Sequence, residues 1–163
     1  RFSSILHQQK ILEYIENENK ENQAKNQQII DDLKENWGVL NPTGQQILKM
    51  KLRREQNGVC LYSGEAIDIE TMLADDNAYQ IDHIVPFSRS NNDGLTNKVL
   101  VKTEENQKKA DRTPFEYFGS DEARWIQFCK RVEATYQTRD AKTKDKKANV
   151  DNYKYNRYAQ RKK

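Results

Sequence analysis

The stretch from Tyr79 to Phe118 reads YQIDHIVPFSRSNNDGLTNKVLVKTEENQKKADRTPFEYF. Its apolar residues cluster in two short runs, Ile81 to Val85 and Val99 to Val101, separated by a polar loop from Arg89 to Thr96 that Asp93-Gly94 would hold. A Thr-Glu-Glu start at Thr103 then opens a helix, with Thr103 as its expected cap. The order is strand, loop, strand, helix, and it predicts an α+β fold around a short two-stranded sheet.

The polar residues of this stretch are those a metal-dependent phosphodiesterase uses. Asp82 and His83 end the first run, Asn97 opens the second, and Asn106 lies just inside the helix. A neutral imidazole takes a proton from water near neutral pH. A carboxylate and an amide oxygen are hard ligands that suit magnesium, which keeps waters in its other positions. His83, Asp82 and Asn106 supply that set. The chain has two histidines, and His7 has no such company. Two facts weigh on the other side. Adjacent residues of a regular strand face opposite ways, so Asp82 and His83 serve one site only if the strand bulges, twists or ends there; Pro86 makes an irregular end reasonable. A His beside an Asp in an apolar run is also commonly a hydrogen-bonded structural pair, and Asn97 and Asn106 read equally as turn and helix-start residues. Residue chemistry alone leaves a metal nuclease as one candidate among several.

Composition frames the rest. Of 163 residues, 35% are apolar and 33% charged, with mean hydropathy −1.10, so a modest core with long solvated extensions is expected. No run approaches the length of a membrane span, and the start at Arg1 without an apolar signal segment suggests a piece of a larger soluble protein. The net charge of +3 is uneven. Residues 1–57 carry +1, residues 58–118 carry −5 and residues 119–163 carry +7. The candidate centre is therefore acidic, and the basic run Lys142 to Lys147 reads as solvated surface. Cys60 and Cys129 are too few and too far apart for a structural zinc site and are expected to be buried, reduced thiols.

Around the core, residues 2–35 read as helical, with a solvated helix or loose linker from Glu16 to Gln28. Gly38 and Asn41-Pro42 break it, and Thr43 caps a second helix with Ile47, Leu48 and Leu52 on one face, stopped by Asn57-Gly58. Val59 to Tyr62 reads as a short strand, and Asp68 as the cap of a short helix. Thr113-Pro114 starts a helix that Gly119 would end in the left-handed conformation. Asp121 opens the last helix, with Trp125, Ile126, Phe128, Cys129 and Val132 at helical spacing.

The segments Asp82-His83-Ile84-Val85-Pro86-Phe87-Ser88, Asn97-Lys98-Val99-Leu100-Val101 and Glu105-Asn106-Gln107-Lys108-Lys109, with Arg112-Thr113-Pro114, together resemble one family. That family is the HNH nuclease domain of the RNA-guided type II CRISPR effectors, CRISPR-associated endonuclease nine. Asn57 to Gly64 also resembles its entry strand, and the likeness is dense from about Gly38 to Phe118. The resemblance implies a ββα-metal core surrounded by helices, with one Mg²⁺ ion for which Mn²⁺ substitutes. Asp82 and Asn106 would be metal ligands and His83 the general base. Asn97 would fix the loop and imidazole, Glu104 would be an alternative ligand, and Lys109 would lie near the scissile phosphate. Ala110 stands where relatives commonly carry glycine.

The resemblance further implies a domain at 41–136, a helical linker at 1–40 toward a RuvC-like domain of the same chain, and a basic C-terminal linker at 137–163. Its substrate would be the DNA strand paired with guide RNA, in a bacterial cytoplasmic antiviral defence, with the fragment itself a monomer away from membranes. Two alternatives stand beside this reading: a free-standing phage or mobile-element HNH endonuclease, and a non-catalytic module that kept the fold. Long flanking helices without a DNA-reading motif favour the embedded domain, and intact Asp82, His83 and Asn106 oppose the non-catalytic one.

Overall fold

The hydrophobic pattern of residues 2–35 is realised as one uninterrupted helix in the computed structural model, which describes residues 2–136 and 157–158. The backbone divides into two units, Arg1–Lys51 and Leu52–Lys163. The basic run Lys142 to Lys147 and the rest of the expected C-terminal linker before Arg157 lie outside the described residues.

In the first unit, α1 runs from Phe2 to Trp37 and includes the polar stretch from Glu16 to Gln28. Ile29 and Leu33 are buried, whereas Phe2, Ile5, Leu6, Leu12 and Ile15 remain exposed. Gly38 ends the helix at φ +68°, a conformation only glycine adopts freely, and the Val39 N–H donates to Leu33 O. Helix α2 (Gly44–Glu55) starts with a reciprocal cap. The Gln46 N–H donates to Thr43 Oγ1 while the Thr43 N–H donates to Gln46 Oε1. Among the described residues, no helix is long and apolar enough to cross a membrane.

The second unit centres on a two-stranded antiparallel sheet of β1 (Tyr79–His83) and β2 (Lys98–Lys102). Tyr79 pairs with Lys102, Asp82 with Val99 and His83 with Lys98, so Asp82, Gln80, Val99 and Val101 share one face. The free edge of β2 is satisfied by a side chain rather than a third strand. Fully buried Gln56 accepts from the Leu100 N–H and donates to Leu100 O, both at 2.8 Å. Short helices surround the sheet: α3 (Ile69–Ala74), capped by Asp68; α4 (Phe87–Ser90); α5 (Thr103–Lys109); α6 (Pro114–Phe118), with a Thr113/Glu116 capping box; and α7 (Glu122–Tyr136). An aromatic cluster of Tyr62, Phe118, Phe128, Tyr136 and Tyr158 fills the core, with Tyr62 at 5.9 Å from both Phe118 and Phe128.

Several expectations are corrected here. Val59 to Tyr62 forms no strand; Val59 makes a single bridge to Ala66, and the chain turns at once through Ser63-Gly64, Gly64 having φ +79°. Thr103 does not cap α5 but is its first residue, and its hydroxyl donates across to Asn77 O. Gly119 is right-handed (φ −67°), and its need for glycine is steric, since a Cβ there would meet Phe115 O at 2.4 Å. Ile126 faces solvent while Trp125, Phe128 and Val132 face inward, and Cys129 is only half-buried. The loop after Pro86 contains a helix that its short length hid from any periodicity.

Candidate active site

Alternation along β1 sends Gln80 and Asp82 to one face and His83 to the other, and α5 lies across the first of these. Asn106 donates its amide N–H to Gln80 Oε1 at 2.8 Å, and one turn later Lys109 places its Nζ 2.9 Å from Asp82 Oδ2. Asp82 and Asn106 therefore line the same β1–α5 seam. The Asp82 carboxylate is nearly buried, and Tyr62 Oη donates to the same Oδ2 at 2.8 Å. Among the described residues both of its bonds fall on Oδ2, leaving Oδ1 for another partner. Burial pushes its carboxyl above the usual range, while Lys109, Tyr62 and His83 pull the other way.

Lys109 is fully buried and also donates to His83 O at 3.1 Å. Its ammonium sits behind Asp82, 5.9 Å above the Tyr62 ring, and not at a surface where a phosphate would lie. Glu104 is exposed and paired with Lys108 one turn on, which holds its carboxyl below the usual value. It is not drawn toward Asp82.

His83 occupies the last position of β1, with its side chain 30% exposed. Asp93 Oδ1 lies 2.9 Å from its Nε2 and 3.0 Å from Lys98 Nζ. The hydrogen bond to His83 first, and then the Lys98 ammonium, hold the Asp93 carboxyl below its ordinary value. A carboxylate at Nε2 fixes the proton there and leaves the lone pair on Nδ1, where a water can be deprotonated. Phe87 flanks the imidazole, ring centres 5.5 Å apart.

Asn97 is completely buried at the end of a 3₁₀ turn, Leu95–Asn97. Its Oδ1 accepts from the Val85 N–H at 3.0 Å, and its Nδ2 donates to Val85 O and Asn92 O. It ties the two ends of the loop together and makes no bond to the imidazole. Among the described residues no three His, Cys, Asp or Glu side chains gather as a metal cluster.

Four residues at the site escaped sequence reasoning. Gln80 was readable as the i−2 neighbour of Asp82 on the same face. Lys98 follows once the register is known. Tyr62 and Asp93 arrive through a turn and a loop, and only the folded chain brings them to their partners.

Comparison with known proteins decides what this arrangement belongs to. Residues 60–115 match the HNH endonuclease family. This segment is an HNH endonuclease domain. It is 53% identical over 79 residues, 48% of this chain, to the CRISPR-associated endonuclease Cas9 of Campylobacter jejuni, and 50% identical over 76 residues, 47% of this chain, to Cas9 of Staphylococcus aureus. The aligned HNH stretch spans only 8% and 7% of those relatives. The crystal structure of the Type II-C Cas9 enzyme from Actinomyces naeslundii superposes on 94% of this chain with TM-score 0.68 at 17% identity, covering 15% of that chain. The HNH domain and its helical surroundings thus share an α+β fold with that enzyme.

Proposed function

We propose that this HNH domain hydrolyses a phosphodiester in the DNA strand paired with guide RNA, as the nuclease module of an RNA-guided CRISPR effector in a bacterial cytoplasm. The observation that carries the reading is the Asp93–His83 hydrogen bond at the exposed end of β1, in a segment half-identical to two CRISPR-associated endonucleases. His83 Nδ1 takes the proton of the attacking water. Asp93, on Nε2, holds the tautomer and stabilises the imidazolium that forms, and Lys98 keeps Asp93 in place. Asn97 fixes the loop from Val85 to Asn92 and so the surface beside the imidazole.

The residues present fit a Mg²⁺ ion. The Asn106 amide nitrogen is committed to Gln80, which leaves its oxygen as the group to coordinate, and Asp82 keeps Oδ1 free among the described residues. One carboxylate and one amide oxygen on a common seam are hard donors of the kind Mg²⁺ or Mn²⁺ takes alongside waters and substrate phosphate. Bound there, the ion would supply charge stabilisation at the phosphoryl and leaving oxygens. Glu104 is held by Lys108 and stays outside this set. Lys109 acts on the site through Asp82.

Residues 58–118 carry −5, so this domain does not hold a polyanion by itself. Basic surfaces elsewhere in a longer chain, including a RuvC-like domain, would present the guide-paired strand to it. The test is His83→Ala in the full-length protein loaded with guide RNA. Cleavage of the guide-paired strand should fall by about 10²- to 10⁴-fold, with the other strand cut normally on strand-resolved gels. Normal cutting of both strands would remove His83 as the base.

A further inference from the structure

Among the described residues of the second unit, Phe87 and Ile126 are the large apolar side chains left exposed, and Phe87 sits against the imidazole of His83. Phe87 is 46% exposed, and its support is elaborate for a four-residue helix. Ser88 Oγ donates to both Asp111 oxygens, at 2.8 and 3.0 Å. Arg89 Nη1 donates to both Glu116 oxygens, at 2.7 and 2.8 Å. Ser90 Oγ donates to Val85 O, and Asn91 ends the helix at φ +48°. Two carboxylates of neighbouring segments, Asp111 and Glu116, and the Val85 carbonyl thus anchor α4 and hold an apolar ring in solvent beside the general base.

We infer that Phe87 is the wall against which the sugar next to the scissile phosphate packs, and that it selects deoxyribose over ribose. The inference rests on the reading of His83 as the base. In a nucleotide the sugar lies between phosphate and nucleobase, so a ring touching the group that activates water meets the sugar first. The C2′ methylene of deoxyribose packs on an apolar ring without loss. A ribose 2′-hydroxyl packed on that face gives up its water and gains no hydrogen bond from the ring, while the Ser88 and Ser90 hydroxyl protons and Arg89 Nη1 of α4 are already given to Asp111, Val85 O and Glu116.

The experiment uses the full-length protein with guide RNA and Mg²⁺, and target strands with a single ribonucleotide on either side of the scissile phosphate. The wild type should cut the all-deoxy strand about 5- to 150-fold better in kcat/KM than the strand with ribose at one of the two flanks. Phe87→Ala should bring that ratio to near unity, and Phe87→Tyr should preserve it. Equal cutting of all strands by the wild type overturns the inference. So does a Phe87→Ala variant that slows every strand alike, which would make the ring a support for His83 only. A His83→Ala control that cuts at the wild-type rate removes the nuclease reading itself, and is told apart from both.

Discussion

Replacing Lys109 by Met removes the ammonium that faces the buried carboxylate of Asp82 while keeping much of its aliphatic volume. Lys109 is fully buried and Asp82 is 8% exposed, with Nζ and Oδ2 at 2.9 Å, so neither charge is relieved by solvent when the other is lost. Stranding one member of such a pair costs about 3–5 kcal/mol, against a total of about 5–15 kcal/mol for a domain. At this chain length that is a fall of roughly 6–20 °C in Tm. Burial already raises the Asp82 carboxyl, and loss of Lys109 raises it further. A folded-state pKa above the unfolded value lowers stability as pH rises through that window, so the deficit of Lys109→Met should shrink as the pH is lowered toward the acid range. Asp82→Asn placed on top of Lys109→Met removes the stranded charge and should recover part of the loss. The measurement is urea unfolding in EDTA followed at Trp125 in a Trp37→Phe background. A Lys109→Met variant as stable as its parent, or a double variant less stable than Lys109→Met alone, would refute the argument.

Ala110 ends α5 at φ +50°, ψ −136°, a region that costs a residue with a Cβ about 1–3 kcal/mol. Ala110→Gly should stabilise the chain by about 0.5–2 kcal/mol after the extra freedom of glycine in the unfolded state is subtracted, read by the same urea melts. In metal titrations Asp82→Ala should abolish most Mg²⁺ affinity and Asn106→Ala should weaken it. Glu104→Ala should leave it unchanged because Lys108 already holds that carboxylate; a larger loss for Glu104→Ala than for Asn106→Ala would overturn the ligand set. Asp68 is held below its ordinary value of 3.8 by the Thr71 N–H and hydroxyl. A depressed folded-state value stabilises above 3.8 and is lost as pH falls through it. Amide exchange at Thr71 should therefore quicken in acid, and Asp68→Asn should flatten that dependence.

The sheet, its helix and the residues Asp82, His83, Asn97 and Asn106 were legible because each announces itself locally. Apolar runs of strand length, a Thr-Glu-Glu helix start and polar residues at their junctions need no long-range knowledge. The caps at Thr43, Asp68 and Thr113 were legible for the same reason. What failed depends on distant partners. Gly119 looked like a left-handed terminator, but its constraint is a carbonyl one turn back in space. Thr103 has the right chemistry for a cap and spends it on Asn77. Lys109 was expected near the scissile phosphate, and only the packing of α5 on β1 shows that it points inward, onto Asp82 and the His83 carbonyl.

The difficulty that the sequence raised about Asp82 and His83 is met by where the strand stops. β1 is regular to its last residue, so the two side chains do diverge, one toward Tyr62 and Lys109 and the other toward Asp93. His83 is nevertheless the final residue of β1, and one further bond in the same register, from the Ile84 N–H to Asn97 O, closes the ladder before Pro86. The end of the strand is open to both faces at once. In the proposed reaction a phosphate brought to that end would meet the imidazole from one side and the Asp82–Asn106 seam from the other. No bulge is required for the proposed reaction, in which the opposite orientations would separate the proton acceptor from the cation site. Buried Asn97 keeps this geometry by bonding Val85 on both its N–H and its carbonyl. Its contribution is therefore the position of the strand end rather than contact with any reacting atom.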